Sequence, residues 1–164
     1  MADQPLQASL FEEDYLVREL GQLARVPQIS LTELVANAWD AGATHVHLTL
    51  PGVAGGTLVV EDDGHGMTPA QFKVRWMTLR YDRLKHQGEL VEIPPGRHIR
   101  QRRPFGRNGV GRHGLLCFDD SYEVQTWRDG VLTTFVVGTE SGPSPFVLRS
   151  ETSSVREGCG TRLS

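Results

Sequence analysis

Within residues 31–43, Leu-Thr-Glu-Leu-Val-Ala-Asn-Ala-Trp-Asp-Ala-Gly-Ala, the side chains of Glu33, Asn37 and Asp40 fall at i, i+4 and i+7. On a helix of 3.6 residues per turn, that spacing sets a carboxylate, an amide and a second carboxylate in one row. No Lys or Arg stands in the row to neutralise it. Such acceptors suit a cation, or a water held for deprotonation; they suit equally a solvated helix face. Leu34, Ala38 and Ala41 form a narrow apolar stripe on another side, and Gly42 supplies a helix stop. Ser30 precedes Glu33 by three residues, the capping-box pattern, so a local role for Glu33 at the helix start stands beside the chemical one.

Two glycine-bearing stretches could meet that row. In Asp62-x-Gly64-x-Gly66-Met67 a carboxylate lies at the end of a β-rich run, beside residues that allow a sharp turn. A buried Asp there can accept a hydrogen bond from an exocyclic amine; a plain Asp-Gly turn is the other reading. Further on, glycines occur at 106, 109, 111 and 114. Glycine lets backbone N–H groups approach a ligand closely, which is how phosphates are cradled, though tight turns alone also use it. No Gly-Lys-Ser/Thr ends the stretch, so it is not a P-loop. Gly109-x-Gly111-x-x-Gly114 matches the dinucleotide fingerprint only by letter, because it does not follow a first strand. His45 with His47, and His113 with Cys117, give too few ligands for zinc. No Gly-x-Ser-x-Gly elbow occurs.

The elements that must position these residues read as follows. Residues 1–8 are expected to be disordered. Leu10, Tyr15, Leu16, Leu20 and Leu23 give a loose helical stripe over 9–26, with Ser9 as its cap. Pro27 interrupts, and Ser30 opens the helix of the acceptor row. Residues 44–50 alternate, with Val46, Leu48 and Leu50 on one face of a half-buried strand. A turn over 51–56 leads to the short run 57–61. Thr68 caps a helix to about Leu79, with Phe72, Trp76 and Leu79 on its apolar side. Residues 80–104 are basic and show no period, and such a long segment is usually functional or mobile. Residues 122–127 and 131–137 flank Asp129-Gly130, a type I′ hairpin signal, and 146–148 read as another strand. Helices early and an antiparallel meander later predict an α+β fold: a two-layer α/β sandwich, with a mixed, mostly antiparallel sheet and helices on one face.

A chain of 164 residues fits one domain, 1–164, and its 38% hydrophobic and 23% charged residues are ordinary for a globular protein. No apolar run reaches the length of a membrane span, and the polar, acidic residues 1–14 are no signal peptide, so no membrane association is expected. Two cysteines, Cys117 and Cys159, imply no disulfide framework, and a reducing cytoplasmic location is the default. The net charge is −3, yet residues 68–112 hold eleven Lys or Arg against three acids, a local +8. That asymmetry marks either a surface meeting phosphate, on a nucleotide or a nucleic acid, or a solvated basic loop.

Taken in order, Glu33-Leu-Val-Ala-Asn37-Ala-Trp-Asp40-Ala, Asp62-Asp-Gly64-His-Gly66-Met67, Phe105-Gly-Arg-Asn-Gly-Val-Gly111 and Gly160-Thr161 resemble the four motifs of the GHKL nucleotide-binding superfamily. Its members include gyrase-type topoisomerases, the ninety-kilodalton heat-shock chaperones, histidine kinases and MutL. The wording of the first and third motifs is most similar to MORC-like or chaperone-like prokaryotic ATPases. The resemblance implies ATP (or ADP) and Mg²⁺ as ligands. It implies Glu33 as general base, Asn37 as the Mg²⁺ ligand, and Asp40 as a support near the nucleotide. Asp62 would accept from the adenine amine, with Gly66, Met67 and Thr161 around the base. Gly106, Asn108, Gly109, Val110, Gly111, Arg112 and Gly114 would cradle the phosphates, and residues 80–104 would form a lid. It further implies ATP-driven closure into a homodimer acting on a client protein or nucleic acid. The chain stops three residues after Thr161, so an N-terminal fragment is expected, without the following domain from which relatives often supply a Lys or Arg to the γ-phosphate; Arg107 or Arg112 is the expected substitute. The alternative is a nucleic-acid module built on residues 68–112, with vestigial nucleotide chemistry. Histidine-kinase catalysis would need a phosphoacceptor domain.

Overall fold

The computed structural model describes residues 12, 15–106, 109–140 and 146–164. Arg107, Asn108, the expected disorder over 1–8 and the expected cap Ser9 lie outside the described residues. The fold is the expected α+β sandwich: a six-stranded sheet in the order β1-β2-β6-β3-β4-β5, with short helices packed on one face. The strands are β1 (Val46–Thr49), β2 (Val59–Asp62), β3 (Ser121–Arg128), β4 (Val131–Thr139), β5 (Phe146–Val155) and β6 (Gly160–Leu163). All five pairings among the described residues are antiparallel. The helices are α1 (Tyr15–Leu20), α2 (Pro27–Asp40), α3 (Pro69–Gln71), which runs into a wider π turn over Phe72–Trp76, and α4 (Arg83–Gln87). Two 3₁₀ segments, Gly21–Ala24 and Gly111–Cys117, complete the helical layer.

Several boundaries differ from the sequence reading for physical reasons. Pro27 does not interrupt α2; it starts it. Val26 is extended (φ −119°, ψ 100°) and Pro27 supplies a pre-set φ at the first helical position. Ser30 therefore lies inside the helix, buried, and its hydroxyl donates to the carbonyl of Leu23. Its N–H donates to Val26, so Glu33 caps nothing. At the other end Gly42 takes φ 72° while Ala43 N–H bonds Ala38 and Gly42 N–H bonds Trp39, a Schellman stop. Thr68 does cap α3, in a capping box with Gln71, but the helix ends at Trp76 rather than Leu79. Leu48 and Leu50 are 37% and 60% exposed, so only Val46 of the expected half-buried face of β1 packs against the core. Asp129 and Gly130 take φ 55° and 80°, the geometry of the expected type I′ turn. β5 extends well past the expected 146–148.

The core lies between the sheet (Val60, Val124, Phe135, Val137, Leu163) and the helical layer (Leu20, Leu23, Leu34, Phe72, Trp76, Leu115). Phe72 and Phe135 are fully buried and stacked with ring centroids 3.8 Å apart. Each such side chain contributes about 1.5–3 kcal/mol relative to exposure, which pins the π turn to β4. Among the described residues, no helix is long and apolar enough to cross a membrane.

The end of α2 offers a sharp test of this packing. A methyl group at Gly42 would need a left-handed backbone and would collide with the carbonyl of Glu92 and with Pro94. Gly42→Ala should therefore lower stability by about 2 kcal/mol or more. An unchanged midpoint in denaturant unfolding would show that residues 92–94 do not pack against this turn.

Candidate functional site

Two adjoining cavities open along α2. The inner one, about 110 Å³, is lined by Asp62, Gly66 and Met67 from the β2 end, by Thr161 and Leu163 of β6, and by Trp76. The outer one, about 460 Å³, is lined by Glu33, Gly106, Gly109, Val110 and Gly111, and by Glu19 of α1. Asn37, Asp40, Arg83 and Arg112 border both, so the two adjoin along α2.

The inner cavity exists because β6 inserts between β2 and β3. Thr161 pairs across from Asp62 on one side and Thr126 on the other. Met67 N–H donates to the Thr126 hydroxyl at 2.8 Å, which fixes the far end of the Asp62 loop to β3. Gly66, at φ 62°, lies so close to the Trp127 carbonyl that no side chain fits there.

The neighbours Asp62 and Asp63 are driven apart electrostatically. Burial raises Asp62 from the ordinary carboxylate range to about 7, opposed by one hydrogen bond from Gly64 N–H at 2.8 Å and reinforced by the charges of Asp63 and Glu61. Asp63 also feels burial. However, the N–H groups of His45 and Thr44, the Thr44 hydroxyl and the Arg97 guanidinium together hold it well below that range. Asp63 is thus a saturated structural anion, and Asp62 is an acceptor with spare capacity facing a cavity. His65, between the two glycines, is buried; burial pushes it toward the neutral form, against the opposing influence of the Gly66 carbonyl and Glu92.

At the outer cavity the row of α2 divides by role. Glu33 lies against the backbone of Gly111, where any side chain would strike its carboxylate. Among the described residues, that carboxylate has no hydrogen-bond or ion-pair partner. Asn37 is one turn further along, and its amide nitrogen is buried without a partner. Asp40 is committed to the chain: its oxygens accept from Phe105 N–H at 2.6 Å and Gly106 N–H at 2.9 Å. Burial nonetheless raises its pKa. Arg112 is half-buried as a residue, but its guanidinium lies inside, over the Tyr81 ring at 5.4 Å. Burial lowers its pKa to about 10, leaving it cationic at neutral pH.

The structure thus brings together Glu33, Asn37, Asp40, Asp62, Gly66, Met67, Gly106, Gly109, Val110, Gly111, Arg112 and Thr161. Gly114 is the exception. It is buried under α2, against the Ser30 carbonyl and Leu34, and packs the 3₁₀ segment rather than lining a cavity. Residues 80–104 also divide. Tyr81, Arg83 and Gln87 face the inner cavity, and α4, capped by Asp82, gives this part a structure that the aperiodic sequence did not indicate. The remainder is a strap fastened to the back of the site. Arg102 donates to the carbonyls of Trp39 and Ala43 and stacks on the Trp39 ring at 3.7 Å; Trp39 Nε1–H donates to Arg103 O; Arg97 pairs with Asp63 and Glu92 with Arg128. Sequence reasoning missed Trp76, Tyr81 and Arg83; aromatics next to a basic aperiodic run were the available signal.

Comparison with known proteins identifies the family of this fold. A profile of the histidine kinase-, DNA gyrase B- and HSP90-like ATPase family matches residues 25–142, and the chain belongs to that family. A candidate type II restriction enzyme, HgiDII, from Herpetosiphon aurantiacus is 29% identical over 105 residues, covering 64% of this chain and 15% of that protein. The DNA mismatch repair protein MutL of Acidiphilium cryptum (strain JF-5) is 41% identical over 51 residues, 31% of this chain and 9% of MutL. A crystal structure of the N-terminal domain of a DNA repair protein superposes with a TM-score of 0.56 at 19% identity, over 92% of this chain and 38% of that one, a likeness of fold. The chain therefore spans only a small part of the curated relatives it matches.

The raised pKa of Asp62 has a consequence for stability. Its folded value of about 7 lies above the ordinary 3.8, so the folded state holds the extra proton between these limits. The stabilisation is complete below about pH 4 and lost as pH rises through 7. Asp62→Asn, which keeps an oxygen for Gly64 N–H, should melt several degrees above the wild type at pH 8, with the gap closing toward pH 4. A gap independent of pH would show that Asp62 is not held protonated.

Proposed function

We propose that the chain is an Mg²⁺-dependent ATP-binding module that hydrolyses ATP slowly and uses nucleotide-driven closure and homodimerisation to switch an attached domain, client protein or nucleic acid. One observation carries the reading: a buried carboxylate with spare acceptor capacity, Asp62, lines one of two adjoining cavities, Glu33 lines the other, and Asn37 and Arg112 border both. Asp62 accepts the adenine amine, Gly66, Met67 and Thr161 bound the base, and the backbone of residues 106–111 with Arg112 holds the phosphates. Asn108, between those residues, completes this loop in the same reading. Glu33, without a partner among the described residues, orients and deprotonates the attacking water. Asp40 acts indirectly, holding the phosphate loop through Phe105 and Gly106.

The residues fit the metal. Among the described residues no group of three or more His, Cys, Asp or Glu could cage a cation. Glu33 and Asn37 offer oxygens on adjacent turns; the Asn37 amide nitrogen, without a partner among the described residues, is a donor that suits a phosphate oxygen beside the metal. Mg²⁺ typically takes one or two protein ligands and completes its shell with waters and substrate phosphates. When bound it neutralises charge on those phosphates. The proposed lid is residues 80–90, since the strap beyond is fastened down.

The nucleic-acid alternative is weaker than the charge count suggested. Lys73, Arg80 and Arg97 pair with carboxylates, Arg102 stacks on Trp39, and Arg83 and Arg112 border the cavities. As to branch, the MutL relatives favour a mismatch-repair-like lineage over the MORC-like or chaperone-like one suggested by motif wording. A cytoplasmic location is part of the same proposal.

Isothermal titration with Mg-ATP tests the site. Asp62→Asn should weaken binding by about tenfold or more, the cost of one buried acceptor to a nucleotide amine. Glu33→Ala should bind ATP like the wild type, while its turnover falls by about 10²-fold or more. Equal binding by Asp62→Asn removes the base assignment, and undiminished turnover by Glu33→Ala removes the general base.

A further inference from the structure

Arg80 stands at the rim of the outer cavity with φ 51°, in the left-handed region that L-residues rarely adopt. The only other non-glycine residue at positive φ among the described residues is Asp129, which its two-residue turn accounts for. Next to Arg80 the chain packs closely on the glycine loop: a methyl at Gly109 would stand 2.8 Å from both the backbone N and O of Tyr81. The Arg80 side chain, 64% exposed, pairs with the carboxylate of Glu19, which lines the same cavity from α1.

The other two guanidinium groups at this cavity are less available. Arg83 donates to the carbonyls of Gly88 and Leu90, both at 3.3 Å, and so closes its own loop. Arg112 is enclosed at the junction with the inner cavity. Arg80 alone of the three is held by a carboxylate, in a pair whose guanidinium is solvent-exposed and open to exchange while Glu19 is largely covered.

We propose that Arg80 is the chain's own cation for the terminal phosphate of ATP, released from Glu19 when that phosphate enters the outer cavity. The inference rests on the nucleotide reading above. A terminal phosphate carries more charge than one carboxylate and offers a guanidinium paired acceptors, so it wins the exchange. Glu19 has the opposite effect, since it holds Arg80 back and, once freed, faces the phosphate with like charge. The pair thereby makes the site sense the third phosphate, because ADP does not reach the rim. Glu19 belongs to α1, so the exchange also removes one contact between α1 and the 80–90 segment.

The test is the ratio of ATP to ADP affinity in Mg²⁺ buffer for the wild type, Arg80→Ala, Arg80→Lys and Glu19→Gln. The wild type should prefer ATP. Arg80→Ala should lose about tenfold in ATP affinity, as expected for a charge-assisted contact, with ADP affinity unchanged within about twofold. Arg80→Lys should recover part of the preference, and Glu19→Gln should bind ATP more tightly than the wild type. If Arg80→Ala shifts ATP and ADP equally, or neither, this inference falls while the nucleotide site stands. If the wild type binds neither nucleotide, the site reading falls and takes this inference with it.

Discussion

The arrangement depends on how closely glycine backbone approaches a single helix. Gly114 meets α2 at Ser30 and Leu34, Gly111 at Glu33, Gly106 at Asp40 and Gly64 at Ala41, so contacts are made along much of its length. A methyl group would stand 3.1 Å from the Ser30 carbonyl at Gly114, 3.0 Å from the Asp40 carboxylate at Gly106 and 2.7 Å from Ala41 Cβ at Gly64. The 2.7 Å at Gly64 leaves no room for a Cβ without a shift of the chain, and at Gly106 and Gly114 the neighbouring group would have to give by a few tenths of an ångström in a densely packed interior. The glycines of both motifs are therefore first a seat for α2. Whatever backbone N–H groups they offer a ligand, they offer from positions fixed by that seat.

Electrostatics then separates what the seat has brought together. Asp40, Asp62 and Asp63 all lie within reach of one helix end, and their fates differ by hydrogen-bond count. Asp63 accepts from the N–H groups of two residues, a hydroxyl and a guanidinium and stays ionised; Asp40 accepts two N–H groups; Asp62 accepts one. Burial raises the two less satisfied carboxylates and is overcome only at Asp63. A buried acceptor with one partner is costly to the fold, and such groups concentrate where a ligand supplies the missing partner. The Asn37 amide nitrogen is the corresponding donor, buried and without a partner among the described residues.

Much of this was legible in the sequence because it is encoded locally. The spacing of Glu33, Asn37 and Asp40, the Asp129-Gly130 turn and the Thr68 cap are decisions made within a few residues, and each is present. What failed depended on competition or distance. Ser30 and Glu33 spell a capping box, but Pro27 at the first helical position starts the helix one turn earlier and leaves Glu33 without a capping partner. β6 is four residues long and joins the sheet between strands far away in the chain, so no local period marks it. The strap beyond residue 90 lacks periodicity because it is ordered by long-range contacts, such as Arg102 with Trp39 and Arg97 with Asp63. Gly114 reads like its three glycine neighbours and differs only in what lies against it.

The walls of the two cavities differ in how firmly they are held. Glu33, Asn37 and Asp40 share one helix, closed at its C-terminal end by the Gly42 stop and buttressed from behind by the strap, so their mutual geometry is set before any ligand arrives. A preorganised row of this kind needs no rearrangement at the moment of reaction. The groups opposite come from other segments: residues 80–90 with a short helix and exposed loop, and α1, held to them by the pair between Glu19 and Arg80. That side is anchored too, by Leu20 of α1 in the core and by the buried Tyr81 and Arg83, so its exposed part is confined to the surface of the 80–90 loop and the Arg80 side chain, while α2 is packed by dense contacts along its length.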